Sequence, residues 1–219
     1  MARPRAATYD DQRAQILKAA ADLFARRGYT AATLNEVAAA CGVSKATLYH
    51  YFSDKHALLE DIVGSHVARL QRIASEAGQP SSERPAGQGV TEARLRSLIH
   101  RFMQVYADAQ SEHRVLTEDV KFLDLQARAR VTGAQRRVVA AFARAIGQAQ
   151  PSLDPALHRP VAMLLFGMIN WTFTWLRPEG AFSHDALAPV VLALMEGGLP
   201  AVPQAAEDGP AARAIPENA

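Results

Sequence analysis

The apolar positions of this 219-residue chain recur at intervals of three and four almost everywhere, the period of helices packed on one side. Ile16, Ala20, Leu23 and Phe24 share one face of a helix predicted from about Asp10 to Arg27. Asp10 and Asp11 suit its first turn and Gly28 the position just past its end. Thr33 and Glu36 form a capping box for a second helix, Leu34 to about Ala40. Cys41-Gly42-Val43-Ser44 reads as a tight turn, and Ser44 caps a third helix, Lys45 to about Tyr51. Ser53 or Asp54 caps a long fourth helix to about Ala77, with Leu58, Leu59, Ile62, Val63, His66, Val67, Leu70 and Ile73 as its stripe.

Residues 78–90 concentrate Gly, Pro, Ser and Gln and read as a flexible loop. Helices are then predicted over Thr91–Ala109, Ser111–Thr117 and Glu118 to about Gly147. Another runs from the Asp154-capped Pro155 to about Leu176, with Pro160 placed to bend it, and the last from Ser183 to about Glu196, interrupted by Pro189. Residues 200–219 are rich in Pro and Ala without a period, so a disordered tail is expected. No stretch keeps a period of two. The expected fold is all-α, about nine helices, divided into units over 1–54 and 55–199 and the tail over 200–219.

Charge adds little until it is divided. The chain has 24 Lys+Arg against 22 Asp+Glu, a net +2. Residues 1–78 hold 10 and 8 of these and residues 79–219 hold 14 and 14, so the surplus lies in the first third. One Cys excludes an intramolecular disulfide and a cysteine zinc cluster, which suits a reducing cytoplasm. The longest uncharged apolar run, Val161 to Leu176, is 16 residues, short of the roughly 20 that span a bilayer, and the N-terminus lacks the apolar core of a signal peptide. No membrane association is expected.

The stretch Thr33 to Phe52 has the pattern of a helix-turn-helix. Val37 and Leu48 pin two helices together, Ala38 is small where they approach, and Gly42 can take a left-handed turn. Val43 buries the turn. The second helix then offers Lys45, Ala46, Thr47, His50 and Tyr51, short or polar residues suited to a groove. The flanking Ala20–Thr30 (AADLFARRGYT) and Leu48–Leu59 (LYHYFSDKHALL) continue the pattern without a break.

With these segments the chain resembles the TetR family of bacterial transcriptional regulators, specifically over about residues 10–60 and in helix order over about 10–198. The resemblance implies a homodimer that binds a double-stranded DNA operator, with a DNA-binding unit and N-terminal arm over 1–54 and a ligand-binding and dimerisation unit over 55–199. Lys45, Thr47 and His50 match groove-facing positions of the recognition helix. Thr33, Tyr49, Tyr51 and Lys55 match phosphate-contacting positions, and Ser44 adds a hydroxyl at the helix start. Lys55, at the start of the fourth helix, is expected to clamp a phosphate. Tyr49 neighbours Leu48 and is open to a packing role instead. Arg3 and Arg5 precede the first helix in a segment that is either a minor-groove arm or a solvated terminus.

Val161–Leu176 is apolar on every side of a helix. Leu164, Met168, Trp171 and Trp175 form one stripe, and Ala162, Phe166, Ile169 and Phe173 another. One stripe packs on its own domain. The other faces a partner, so Leu164, Met168 and Trp175 with Val191 and Leu194 are the expected dimer interface; a large monomeric core is the rival. Effector contacts are expected from Phe102, Tyr106, Phe122, Asn170, Trp171 and Thr174. Leu116–Leu125 and Phe166–Gly180 resemble regulators of acyl-CoA catabolism. That implies a repressor released by a fatty acyl-CoA or phenylacetyl-CoA, with Arg94, Arg96, Arg101 or Arg177 meeting the phosphates. The alternative is an efflux-pump repressor responding to hydrophobic or cationic drugs. Whether the ligand releases or promotes DNA binding stays open.

Enzymatic readings find little support. The seven His show no metal-ligand spacing, Gly87-Gln88-Gly89 follows no strand, and Cys41 has no His–Asx arrangement beside it. No catalytic residue, metal or cofactor is assigned.

Overall fold

The computed structural model describes residues 4–76, 88–177, 180 and 182–201. Among these every regular element is helical: α1 (Pro4–Arg27), α2 (Leu34–Cys41), α3 (Lys45–Tyr51), α4 (Lys55–Glu76), α5 (Gln88–Asp108), α6 (Gln110–Glu118), α7 (Leu125–Ala149), α8 (Pro155–Asn170), α9 (Thr172–Trp175) and α10 (His184–Gly198), with two short 3-10 turns. No helix among them is long and apolar enough to cross a membrane.

Capping chemistry sets most of the boundaries. Of the two candidates before α4, Asp54 caps it, its Oδ1 accepting from the Ala57 amide at 2.8 Å. Asp154 accepts from the Ala156 amide at 2.8 Å, and Ser183 from the Ala186 amide at 3.1 Å. Pro160 and Pro189 are accommodated inside α8 and α10.

Four expectations are corrected. α1 is helical from Pro4, the first described residue, rather than from Asp10, and proline suits the first turn of a helix because it lacks an N–H. Arg5 therefore stands in the first turn of α1, not in an extended arm; Arg3 lies outside the described residues. The predicted loop loses residues 88–90 to α5, and its remainder, like the tail beyond 201, lies outside the described residues. The helix predicted from Glu118 is interrupted by a 3-10 turn, Val120–Phe122, and restarts at Leu125, where Asp124 Oδ1 accepts from the Ala127 amide at 2.7 Å. The helix predicted to Leu176 breaks at Trp171.

The core is continuous. Ile16, Ala20 and Phe24 of α1, Val37 of α2 and Leu48 of α3 pack against Leu58, Leu59 and Ile62 of α4. Further along α4, helices α5, α7 and α8 close around three rings. Phe142 meets Phe102 and Phe166 edge-on, each with centroids 4.8 Å apart. α1 also packs on α6, so the helix-turn-helix bundle leans on α6 as well as α4.

Candidate nucleic-acid interface

The local frame explains the orientation of α3. Thr33 Oγ1 accepts from the Glu36 amide at 3.3 Å, and Glu36 Oε2 accepts from the Thr33 amide at 2.9 Å. The Thr33 hydroxyl also donates to Glu36 Oε2 at 2.8 Å, and this bond, then the one from the Thr33 amide, holds the Glu36 carboxyl below its usual pKa. Arg27 pairs with the other Glu36 oxygen. Gly42, at φ +66°, sends its N–H and that of Val43 back to the carbonyls at the end of α2. Ser44 then caps α3, accepting from the Thr47 amide at 3.0 Å while the two hydroxyls exchange a bond at 2.8 Å. Leu48 is completely buried, which fixes the opposite face outward.

On that outward face Lys45, Tyr49 and His50 are exposed, and Thr47 and Tyr51 are half-buried. The Lys45 ammonium lies 5.8 Å from the Tyr49 ring, itself 46% exposed, so Tyr49 does not serve the packing side. Sequence reasoning overlooked Tyr9. It stacks on Tyr51 at 4.6 Å and meets His50 edge-on at 6.1 Å, so α1 helps aim both side chains. Its only signal in the sequence is an aromatic just before the acidic pair.

Lys55 corrects its expected role. Its ammonium donates to the carbonyls of Tyr29 (2.8 Å), Thr30 (3.2 Å) and Ala32 (3.0 Å) and sits 4.5 Å from the Tyr29 ring. All three of its protons are used. It ties the α1–α2 turn to the start of α4 and has no donor left for a phosphate.

The six expected effector residues divide. Phe102 and Tyr106 are buried, and the Tyr106 hydroxyl donates to Asn170 Oδ1 at 2.7 Å. Phe122 instead lies against Tyr29, centroids 5.2 Å apart, and covers the junction with the helix-turn-helix. Trp171 is 57% exposed, and Thr174 is exposed with its hydroxyl donated to the Trp171 carbonyl. Trp171 continues the exposed stripe of Leu164 and Met168, and Thr174 follows the break between α8 and α9.

Two histidines complete the inner group. His113 stacks on Tyr106 at 3.8 Å, and its Nε2 meets the Asn170 carbonyl at 3.3 Å. A carbonyl only accepts, so the proton of His113 is on Nε2, and its Nδ1 accepts from His66 Nε2–H at 3.3 Å. Burial lowers the pKa of His113 to about 4. Burial, then the neighbouring His113, lowers that of His66 to about 3. The chain His66–His113–Asn170–Tyr106 thus joins α4, α6, α8 and α5.

Of the expected dimer residues, Leu164 is 70% exposed, Trp175 56% and Leu194 59%; Met168 is exposed as well. Val191 is buried within its own chain and leaves the set. Trp171, Met163, Val190 and Phe182 are exposed apolar side chains as well.

His56, Glu60 and Asp124 come within 4.8 Å of one another, as a metal site would require. Each is engaged: His56 Nε2 accepts from the Asp124 amide, Glu60 pairs with Arg130, and Asp124 caps α7. The cluster locks α4 to α7. Burial pushes the half-buried Cys41 thiol up, away from nucleophilic use.

The pattern of bacterial regulatory proteins of the tetR family matches residues 16–62, and that of the tetracyclin repressor-like C-terminal domain matches residues 88–199. The HTH-type transcriptional activator FasR of Mycolicibacterium smegmatis is 27% identical over 195 residues, covering 89% of this chain and 85% of that protein. A TetR-family transcriptional regulator from Bordetella parapertussis superposes with a TM-score of 0.74 at 33% identity, covering 84% of this chain and 93% of the other. AibR in complex with isovaleryl coenzyme A and operator DNA shares the fold, with a TM-score of 0.68 at 23% identity over 84% and 97% of the two chains.

Proposed function

The chain belongs to the tetR family of bacterial regulatory proteins, DNA-binding transcriptional regulators and not enzymes, and from that premise we propose that it is a homodimeric repressor released from a palindromic operator by an acyl-CoA. The observation that carries the DNA reading is the outward face of α3. Lys45, Thr47, Tyr49, His50 and Tyr51 stand on a helix fixed by Leu48 behind, Ser44 at its start and Tyr9 beside it. Lys45 and His50 read the groove, and Tyr49 with the hydroxyl of Ser44 meets phosphates, whereas the one proton of the Thr33 hydroxyl is given to Glu36 Oε2.

The apolar face of α8, α9 and α10 supports the dimer. Leu164, Met168, Trp171, Trp175 and Leu194 are large apolar side chains that a monomer leaves in water. A twofold copy covers them and sets the two α3 helices about 34–36 Å apart, one DNA turn. The effector unit is residues 55–199, with Phe102, Tyr106 and Asn170 nearest its polar centre. AibR, whose structure holds isovaleryl coenzyme A and operator DNA, supports the coenzyme A class.

A route for coupling is present. An effector that displaces Asn170 or Tyr106 acts on His113 and through it on His66 of α4. The start of α4 is bound by Lys55 to the turn before α2. Movement of α4 therefore reaches the recognition frame, and the coupling free energy equals the effector's differential affinity for the two states.

The test is fluorescence anisotropy of the purified protein on an operator found by genomic footprinting, with and without phenylacetyl-CoA and fatty acyl-CoAs. Release of DNA, with thermal stabilisation of the free protein, is the expected result; ligand at a hundredfold its Kd adds about 2.7 kcal/mol. Tighter operator binding with the ester would replace the repressor reading by an activating one, in line with the name of FasR. A response to cationic drugs and to no CoA ester would move the chain to the efflux-regulator class.

A further inference from the structure

The structure separates the arginines of the effector unit into compensated and uncompensated ones. Arg96 pairs with Glu196, Arg101 with Glu76 and Arg69 with Asp108. A groove of about 300 Å³ between α4 and α5 is lined by Arg69, Arg72 and Arg101, but also by Glu76 and Asp108, so most of its charge is spent internally. A second groove, about 180 Å³, lies between the C-terminal half of α4 and α7. Its polar lining is Gln71, Ser75, Arg137 and Arg144, without a carboxylate among the described residues. Among the described residues Arg137 reaches only the amide oxygen of Gln71, at 3.1 Å.

Arg94 of α5 adds a third cation. Its Nη1 donates to Gln148 Oε1 at 2.9 Å, and its Nε is buried with no hydrogen-bond partner among the described residues. Burial, then the charge of Arg144, lowers its pKa. Like charges held together beside an orphaned donor are an unfavourable arrangement that an anion relieves, since guanidinium and phosphate match in both charge and fork geometry.

We propose that the α4–α7 groove seats the phosphate-bearing nucleotide end of a coenzyme A effector, with Arg137 and Arg144 as its direct ligands and Arg94 as the adjoining cation. The groove has room for a phosphate group and not for a whole coenzyme, so the acyl end lies elsewhere. Its position separates it from the DNA face: Gln71 to Ser75 are 16 to 20 residues past Lys55 on α4, roughly 24–30 Å along the helix. Binding there cross-links α4 to α7 at the end of α4 farthest from α3. The assignment to coenzyme A rests on the acyl-CoA reading above; the anion site itself does not.

The experiment is calorimetric titration of the full chain with adenosine 3′,5′-bisphosphate, inorganic phosphate and phenylacetyl-CoA. Arg144→Gln and Arg137→Gln are expected to weaken the bisphosphate about tenfold or more, the scale of one lost charge-assisted bond. Arg144→Lys keeps a charge without the fork and falls between. Arg96→Gln, already engaged by Glu196, stays within about twofold of the parent. Arg144 is exposed, so an unchanged thermal midpoint verifies that the variant folds. Absence of bisphosphate binding at millimolar concentration, or equal affinity in the parent and both glutamine variants, overturns the site. Inorganic phosphate binding as tightly as the bisphosphate overturns the nucleotide assignment. Arginine-dependent bisphosphate binding with no operator response to phenylacetyl-CoA or a fatty acyl-CoA overturns the acyl-CoA reading and leaves a nucleotide site.

Discussion

The helix-turn-helix and the helices that follow it place polar and apolar side chains in opposite ways. From Tyr9 to Asp54 no polar side chain is buried, and Lys45, Tyr49 and His50 stand in solvent on an apolar frame. From Lys55 onward His66, His113, Asp119, Thr172 and His184 are buried, while Leu164, Trp175 and Leu194 face outward. A surface that meets a polyanion needs its cations and hydroxyls outside and a rigid support behind them. A unit that must respond to a ligand and join a partner needs apolar area outside and a few polar groups inside that have two ways of being satisfied. The two regions should therefore fail in different ways when perturbed.

The largest effect belongs to the apolar support. Leu48 is completely buried at the crossing of α3 with the rest of the bundle, and Leu48→Ala removes its packing and leaves a cavity. The expected cost is about 2–5 kcal/mol in urea unfolding, with loss of the operator complex. A variant that kept full stability and still bound DNA would show that α3 is not held by this frame.

The second effect isolates the inner polar group. A histidine whose pKa is lowered by folding stays neutral in the folded chain where the unfolded chain is already protonated. The contribution of His66 and His113 is complete above the ordinary value of 6.5 and falls as pH drops toward their folded values of about 3 and about 4. The loss is at most about 1.4 kcal/mol per pH unit for each. Unfolding free energies between pH 7 and pH 5 should show this slope. His66→Leu with His113→Phe should flatten it, while the titration of Glu112 and Asp119, raised by burial, remains in parent and variant alike and subtracts out. An equal slope in both proteins would detach the slope from this pair.

The same division decided what was legible in the sequence. α2 and α3 were read almost to the residue because their signals are local: Thr33 and Ser44 as caps, Gly42 as the stop between them. The break at Trp171 has no glycine or proline to announce it. It is held from outside the helix, by His113 on the Asn170 carbonyl and Tyr106 on the Asn170 side chain, and Thr172 turns its hydroxyl back to Ile169. Helical periodicity places Trp171 on the stripe of Leu164 and Met168, where it stands exposed, while Thr174 follows this break and Phe122 ends the 3-10 turn at Val120–Phe122, both outside a continuous helical period. The position of Lys55 is legible in the sequence, but its three carbonyl partners, 23 to 26 residues away, are not, and they take the protons a phosphate would need.

Glycines sharpen the comparison at smaller cost. A Cβ at Gly42 meets nothing within 4 Å, so Gly42→Ala is penalised by its φ of +66° alone, about 1 kcal/mol. A Cβ at Gly147 of α7, where φ is ordinary, falls 2.3 Å from the His158 ring, and the change displaces that side chain. Thermal midpoints of the two variants should drop for different reasons. Gly42→Asn should recover part of its loss, since asparagine tolerates the left-handed region, whereas Gly147→Asn should not.

The smallest effect tests whether the recognition frame depends on charge pairing. Glu36 serves two groups at once. One oxygen takes Arg27, an exposed pair; the other takes the Thr33 amide and hydroxyl. Exposed pairs are screened by water and salt and contribute between nothing and about 1 kcal/mol. A cap satisfies a backbone donor that helix geometry leaves open, for about 1 kcal/mol, regardless of ionic strength. Arg27→Ala should therefore shift stability by a few tenths of a kcal/mol at low salt and by nothing measurable at high salt, while Thr33→Ala costs about 1 kcal/mol at both. Because the cap survives in Arg27→Ala, α2 keeps its start and α3 its aim, and operator affinity should fall only through the lost positive charge. Plotted against salt concentration, that loss should appear as a shallower slope. An Arg27→Ala cost as large as that of Thr33→Ala and insensitive to salt would mean that the pair, and not the cap, holds α2 in register, and the frame beneath α3 would then be electrostatic rather than local.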